Sequence, residues 1–262
     1  MLLVGLALAA LIGLSLGMLG GGGSILTVPV LVYVLGYAAR PAIAMSLPVV
    51  GITSLVGAAL HWRLGNLRVS TAVSFGLLAM VGAFVGARLA TRLSGALQLA
   101  LLAIVMLVAA VSMLRGRREP TAAAVAPPRW ALLVPVALGV GLLTGVVGIG
   151  GGFLVVPALV LLARVPMRQA VGTSLLVIAM NSVAGFAGYL GAVSVDWTFL
   201  AGFTAAAVVG AVVGSALVAR VPQAVLKRGF AAFLLLVGVF VLYQNRDAFR
   251  VARPTVASAV SR

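Results

Sequence analysis

The chain has no cysteine, a single histidine and three acidic residues among 262 positions. The missing cysteine excludes disulfides, thiolate metal sites and cysteine nucleophiles. One histidine and three acids leave too few ligands for a metal centre. They also give little support to a Ser-His-Asp triad or a pair of catalytic carboxylates, so an enzyme is not expected and no cofactor is implied. Short alternating strands are absent, which argues against a membrane β-barrel. No acidic ring can be placed for a cation channel. Polar surface is scarce as well: 8% of residues are charged and 63% are hydrophobic, with mean hydropathy +1.27. A soluble fold of this size cannot bury that much apolar surface, so lipid must be the solvent for most of it.

The charge that is present is one-sided, with 18 Lys and Arg and a net charge of +15. These cations are scattered at the ends of apolar segments. They form no basic face and have no aromatic platform, so a nucleic-acid partner is not expected. They read as juxtamembrane anchors that follow the positive-inside tendency. The N-terminus enters an apolar segment without a basic start or a clear cleavage site, and is expected to be a retained first helix.

Glycine is abundant, with 32 residues, and two runs of it organise the chain. Gly17 to Pro29 holds Gly20, Gly21, Gly22 and Gly23 and ends in Val28-Pro29. Gly145 to Pro157 holds Gly148, Gly150, Gly151 and Gly152 and ends in Val156-Pro157. Pro157 follows Pro29 by 128 positions, and the same displacement relates Arg40 to Arg168, Ser46 to Ser174, Ser54 to Ser182, Gly57 to Gly185, Gly82 to Gly210, Gly86 to Gly214 and Arg92 to Arg220. A register without gaps that includes Pro, Arg and Ser points to an internal duplication, a common way to build transporters.

The expected fold is all-α: a polytopic transmembrane helix bundle of two tandem homologous repeats with glycine-broken helices. The first repeat spans 1–114, a basic Pro-containing linker 115–130, the second repeat 131–244 and a polar tail 245–262. Apolar segments are expected at about 2–19, 42–60, 69–89 and 95–114, and again at 131–147, 167–190, 197–219 and 225–243. The short pieces Ser24–Leu35 and Phe153–Ala163 leave the number of spanning segments between eight and ten; the first gives only ~18 Å of helix, too short to cross alone. An odd number of crossings per half would invert one repeat relative to the other, and inversion is the favoured reading. The four Arg of the linker place it in the cytoplasm.

The two breaks, together with Ala44-Met45-Ser46-Leu47 and Gly172-Thr173-Ser174-Leu175 after them, make the sequence resemble the TauE/SafE family of membrane permeases. The family has Thr-Ser-Leu at this place, from which Met45 departs. The turns at Gly65-Asn66-Leu67 and Ser194-Val195-Asp196-Trp197 also resemble the loop after the family's third segment. The resemblance covers nearly the whole chain and implies export or uptake of a sulfur oxyanion or organosulfonate, such as sulfite, thiosulfate or a sulfonate, across a bacterial plasma or inner membrane.

The site is expected at the breaks. Backbone groups freed at membrane depth must be satisfied by protein, water or substrate, and successive N–H groups beside a helix N-terminus favour an anion. The candidates are Gly20, Gly21, Gly22, Gly23 and Ser24 with Gly148, Gly150, Gly151 and Gly152. The alternative for these glycines is close helix crossing, which is the favoured reading for Gly82, Gly86, Gly210 and Gly214. Ser46, Thr53, Thr173, Ser174 and Asn181 are the polar candidates of the segments that follow, because neutral donors hold an oxyanion without a buried cation. Hydroxyls bonded back onto their own helix are the plain alternative. His61 reads either as a proton-linked group or as a commonplace interfacial histidine. Arg40 and Arg168 read as anchors, and Asp196 as the cap of the helix from Trp197. The partners implied are a small anion and the bilayer, and a homo-oligomer is compatible with the sequence. The competing function is a non-transporting membrane scaffold or accessory subunit.

Overall fold

A computed structural model of the chain describes residues 2–114, 130–148, 152–161, 165, 167–217 and 223–244. The described residues are helical, and no strand occurs among them. The order is α1 (Leu2–Leu19), a 3₁₀ stretch (Gly20–Leu26), one α-turn α2 (Thr27–Pro29) and a π-turn (Val30–Val34). Then follow α3 (Ala39–Arg63), α4 (Val69–Ala90) and α5 (Gly95–Leu114). The second half contains α6 (Trp130–Val147), α7 (Gly152–Leu161), α8 (Met167–Tyr189), α9 (Trp197–Leu217) and α10 (Gln223–Gln244). Residues 115–129 of the expected linker and the whole expected tail 245–262 lie outside the described residues, while Trp130 opens α6.

Four helices are long and apolar enough to cross a bilayer: α3, α4, α8 over Gln169–Tyr189, and α9. Their outer faces expose large apolar side chains, among them Leu55, Leu77, Val81 and Val209. A bilayer tolerates such faces and water does not. The protein is therefore an all-α, multi-pass membrane helix bundle. α3 is longer than the segment expected from the sequence. It takes in Ala39 to Pro41 because proline is tolerated in a first helical turn, and it runs on through His61 to Arg63.

Helices pack in crossed pairs: α1 with α9, α4 with α6, α5 with α10, and α3 with α8 at the centre. Two of these pairs are made by glycine. A Cβ on Gly13 or Gly17 of α1 would run into the backbone of α9 at Ala207 or Ala211, and one on Gly210 or Gly214 of α9 into α1 at Ala10 or Leu14. The same is true of Gly141 and Gly145 against Ala79 and Ala83, and of Gly82 and Gly86 against Leu138 and Leu142. Only hydrogen in place of a side chain lets the helix backbones approach this closely, the small-residue packing that replaces hydrophobic driving force in lipid. Each contact of the α1–α9 pair has its counterpart in α6–α4 at a displacement of 128.

At the centre Gly51 meets Ser182, Gly57 meets Leu175 and Gly185 meets Leu47. Ascending numbers on α3 meet descending numbers on α8, so the two helices cross antiparallel. α4 packs against α8 and α9 against α3, and the 3₁₀ stretch and α7 lie against each other beside this crossing.

Candidate functional site

The two glycine runs fold differently. The first does not interrupt the helix outright: α1 tightens into 3₁₀ winding over Gly20–Leu26. The amides of Gly20, Gly21, Gly22 and Gly23 are thus drawn into tight turns, where the sequence suggested free donors. Gly23 lies against α1, and a Cβ there would strike Leu16 N and Ser15 Oγ. Ser24 is buried. The second run is a stop. Gly148 has φ +73° and its N–H donates to Thr144 O at 2.8 Å. A left-handed residue after the last helical turn, bonded back in this way, is the αL cap that glycine favours. A Cβ on Gly148 would also collide with Ile43 of α3. Gly150 and Gly151 lie outside the described residues, and Gly152 opens α7.

The second stop is held by side chains from both central helices. Ser46 Oγ of α3 donates to Gly148 O and lies 2.7 Å from Ile43 O. Tyr189 of α8 is fully buried, and its hydroxyl lies 3.3 Å from both Gly145 O and Val146 O, in the last turn of α6. Tyr189 was not among the residues expected from the sequence. Its position has histidine as counterpart in the first half, so a search for identical residues passes over it.

Most candidate hydroxyls are engaged. Thr53 Oγ1 donates to Val49 O at 2.6 Å and Ser174 Oγ to Val171 O at 2.7 Å, each within its own helix. Thr173 Oγ1 accepts the Arg68 N–H at 3.0 Å, while Arg68 Nε donates to Gln169 Oε1 at 2.6 Å. These contacts clamp the start of α8 to the loop after α3. Arg40 donates to Leu93 O, and Asp196 accepts the Phe199 N–H at 3.0 Å as the cap of α9. The Tyr37 hydroxyl reaches the same carboxylate at 3.4 Å, and burial together with that negative charge pushes its pKa up.

Asn181 differs. It is 1% exposed, and neither its Oδ1 nor its Nδ2 has a hydrogen-bond partner. Ser54 Oγ and Ser182 Oγ are likewise buried and unpaired. Ser182 faces Gly51 at the α3–α8 crossing, and Ser54 lies one helical turn beyond Gly51. Val177, one turn before Asn181, belongs to the buried cluster that also holds Val155, Val156 and Leu159 of α7. The same cluster includes Phe75 of α4 and Val140 of α6, so it joins α8 to three neighbouring helices. An unsatisfied buried polar group costs about 1–3 kcal/mol, so a cluster of them marks a place where a ligand or water belongs. No carboxylate sits in a described helix, and no group of metal-ligating side chains occurs among the described residues. An apolar groove of about 380 Å³ opens elsewhere, between α1, α2 and α10, beside Leu11, Pro29 and Phe240, and no candidate residue lines it.

Helices crossing a bilayer, wound tight or stopped at glycine beside a buried uncharged polar cluster, define a multi-pass membrane transporter. The sequence comparisons agree. The profile described as "Sulfite exporter TauE/SafE" matches residues 5–241. A "Probable membrane transporter protein" of Xylella fastidiosa (strain 9a5c) is 33% identical over 251 residues, covering 93% of this chain and 96% of its own. "Probable membrane transporter protein YdhB" of Bacillus subtilis (strain 168) is 27% identical, covering 89% and 97%. "Probable membrane transporter protein MJ0441" of Methanocaldococcus jannaschii is 28% identical, covering 76% and 77%. No solved structure matches. The chain belongs to the sulfite exporter TauE/SafE family.

Proposed function

We propose that the chain is a permease for a small anion, a sulfur oxyanion or organosulfonate, which it moves by alternating access of two inverted halves. The observation that carries this reading is the set of buried, unpaired neutral groups, Ser54, Asn181 and Ser182, at the antiparallel crossing of α3 and α8. Hydroxyl and amide N–H groups donate to an oxyanion without the desolvation cost of a buried cation. α7 packs against α8 and the 3₁₀ stretch beside it.

The inversion is supported by the way equivalent helices meet. Thr53 and Asn181, Ser54 and Ser182, and Ser46 and Ser174 are each related by 128 positions, yet α3 and α8 run in opposite directions. A pseudo-twofold axis in the membrane plane relates two such helices, and rocking about it exposes the crossing to either side in turn.

Binding of sulfite, thiosulfate, sulfate and methanesulfonate to the purified protein tests the reading through thermal shift. Stabilisation by one anion is expected in the wild type and lost in a folded Asn181→Ala variant. Stabilisation by none of the four, with no flux of them into proteoliposomes, would leave the scaffold reading in its place.

A further inference from the structure

The end of α4 carries two arginines that its backbone does not need. A cation at a helix C-terminus commonly bonds the last, orphaned carbonyls. Here those carbonyls have other donors. Arg88 O accepts the Thr91 hydroxyl at 2.7 Å, Leu89 O the Arg92 N–H at 3.0 Å and Ala90 O the Leu93 N–H at 3.0 Å. Gln98 Nε2 also donates to Ala90 O, and Arg40 of α3 donates to Leu93 O. The side chains of Arg88 and Arg92 stand four residues apart on one exposed face of the helix. The Arg88 guanidinium lies over the Phe84 ring, 5.4 Å from its centroid. With Phe84, Val85, Leu89 and Thr91, the two arginines line an open cleft of about 350 Å³.

Towards the middle of α4 the same face turns apolar, with Leu77, Val81, Phe84, Val85 and Leu89 exposed. Leu77 to Arg88 rises ~16 Å at 1.5 Å per residue, about half of a ~30 Å hydrocarbon core. A cationic end above an apolar stripe one leaflet deep has the layout of a phospholipid. The second half does not repeat it. At a displacement of 128 the counterparts of Phe84 and Arg88 are Val212 and Ala216, while Arg92 has Arg220. Anchoring at the interface accounts for the arginine that both halves share, and leaves Arg88 and its ring without a purpose.

We infer that this cleft binds an anionic phospholipid, its phosphodiester between Arg88 and Arg92 and an acyl chain along Leu89, Val85 and Val81. The planar guanidinium fork matches phosphate oxygens. Two full positive charges outweigh the roughly half negative charge of the helix end. Charge also selects the headgroup. Asp196, the one acid among the described residues, is engaged with Tyr37 and the Phe199 N–H. No carboxylate lines the cleft to receive the ammonium of a zwitterionic lipid, so a headgroup with a phosphate and no cation fits. Occupancy does not depend on what the protein transports.

Native mass spectrometry of the delipidated full chain tests this, by titration with phosphatidylglycerol or with phosphatidylcholine of the same acyl chains. Phosphatidylglycerol is expected to bind about tenfold more tightly. The double variant Arg88→Gln, Arg92→Gln loses that preference. Arg63→Gln, at an exposed arginine near the start of α4, keeps it. Equal affinity for the two lipids in the wild type overturns the inference without recourse to any variant, as does a preference that survives in the double variant. Displacement of phosphatidylglycerol by inorganic phosphate would overturn it in favour of a free-anion site. A dimer crosslinked through Phe84 and Val85 and unaffected by added lipid would give the face to a second copy of the chain.

Discussion

The two glycine runs share four aligned glycines and a closing Val-Pro and are opposite in mechanics. The run after α1 continues as 3₁₀ winding through Leu26 and passes without a stop into α and π turns as far as Val34. The run after α6 ends its helix at a left-handed glycine whose carbonyl and preceding turn are held by Ser46 and Tyr189. A helix that changes pitch can wind and unwind with small changes of dihedral angle, whereas an αL cap is a discrete conformation. Two copies of one motif thus come to serve as a pliant joint and a fixed one. The difference lies in the residues that touch the glycines, not in the glycines themselves.

The largest expected effect is at the fixed joint. Gly148→Ala forces a side chain into a positive-φ position and against Ile43, and is expected to destabilise by about 2–4 kcal/mol in thermal or denaturant unfolding. Gly36→Ala, at a positive φ but with open space around it, keeps the backbone strain without the collision and is expected to cost less. An equal loss at the two positions would remove the contact with Ile43 from the account of the fixed joint. Next in size is Tyr189→Phe, which leaves the α6 carbonyls without their donor. A loss of about 1–2 kcal/mol is expected, with faster amide exchange at the end of α6 and none at α1.

Ser46 and Ser174 sharpen the same contrast at smaller scale. Ser46→Ala removes a bond between halves and should cost about 1 kcal/mol. Ser174→Ala removes only a bond within its own helix and is expected to fall within about 0.5 kcal/mol of the wild type. The smallest effect is at the surface. The fold favours the protonated Tyr37 phenol through burial and the Asp196 carboxylate. Its contribution is therefore full below the ordinary tyrosine pKa and disappears as pH rises through the raised one. Tyr37→Phe should lower stability by under about 0.5 kcal/mol at neutral pH and flatten the alkaline limb of the Tm curve.

Much of this architecture was legible in the sequence. Apolar run length set the helices to within a few residues, because in lipid hydropathy and helix length are tied together. The fixed displacement foretold which contacts would recur, and Gly82, Gly86, Gly210 and Gly214 are packing residues as expected. The site was less legible. Ser46, Thr53 and Ser174 looked like substrate ligands by residue type, yet a hydroxyl in a helix has a carbonyl of its own helix within reach, and only coordinates show which it takes. Asn181 was a candidate beside them, and of the five polar candidates it alone keeps its polar side-chain atoms unpaired. The pairing of Tyr189 with His61 went unseen because identity was the only mark of equivalence; the displacement alone places both at the same point of their halves. The difference between the two runs was hidden for a similar reason, since it is written in Ile43, Ser46 and Tyr189, far from either run in the chain.

The exchange of partners by which α1 rests on α9 and α6 on α4 has a consequence for biosynthesis. α1 is made long before α9. At 5–20 residues per second the ribosome needs roughly ten to forty seconds to supply the partner of α1. Throughout that interval the glycine face of α1, shaped for another backbone, stands against lipid or against some other nascent helix. Neither half can complete its own packing. Two half-chains synthesised separately are each left with a bare glycine seam, and when they meet in one membrane each brings the surface that the other lacks.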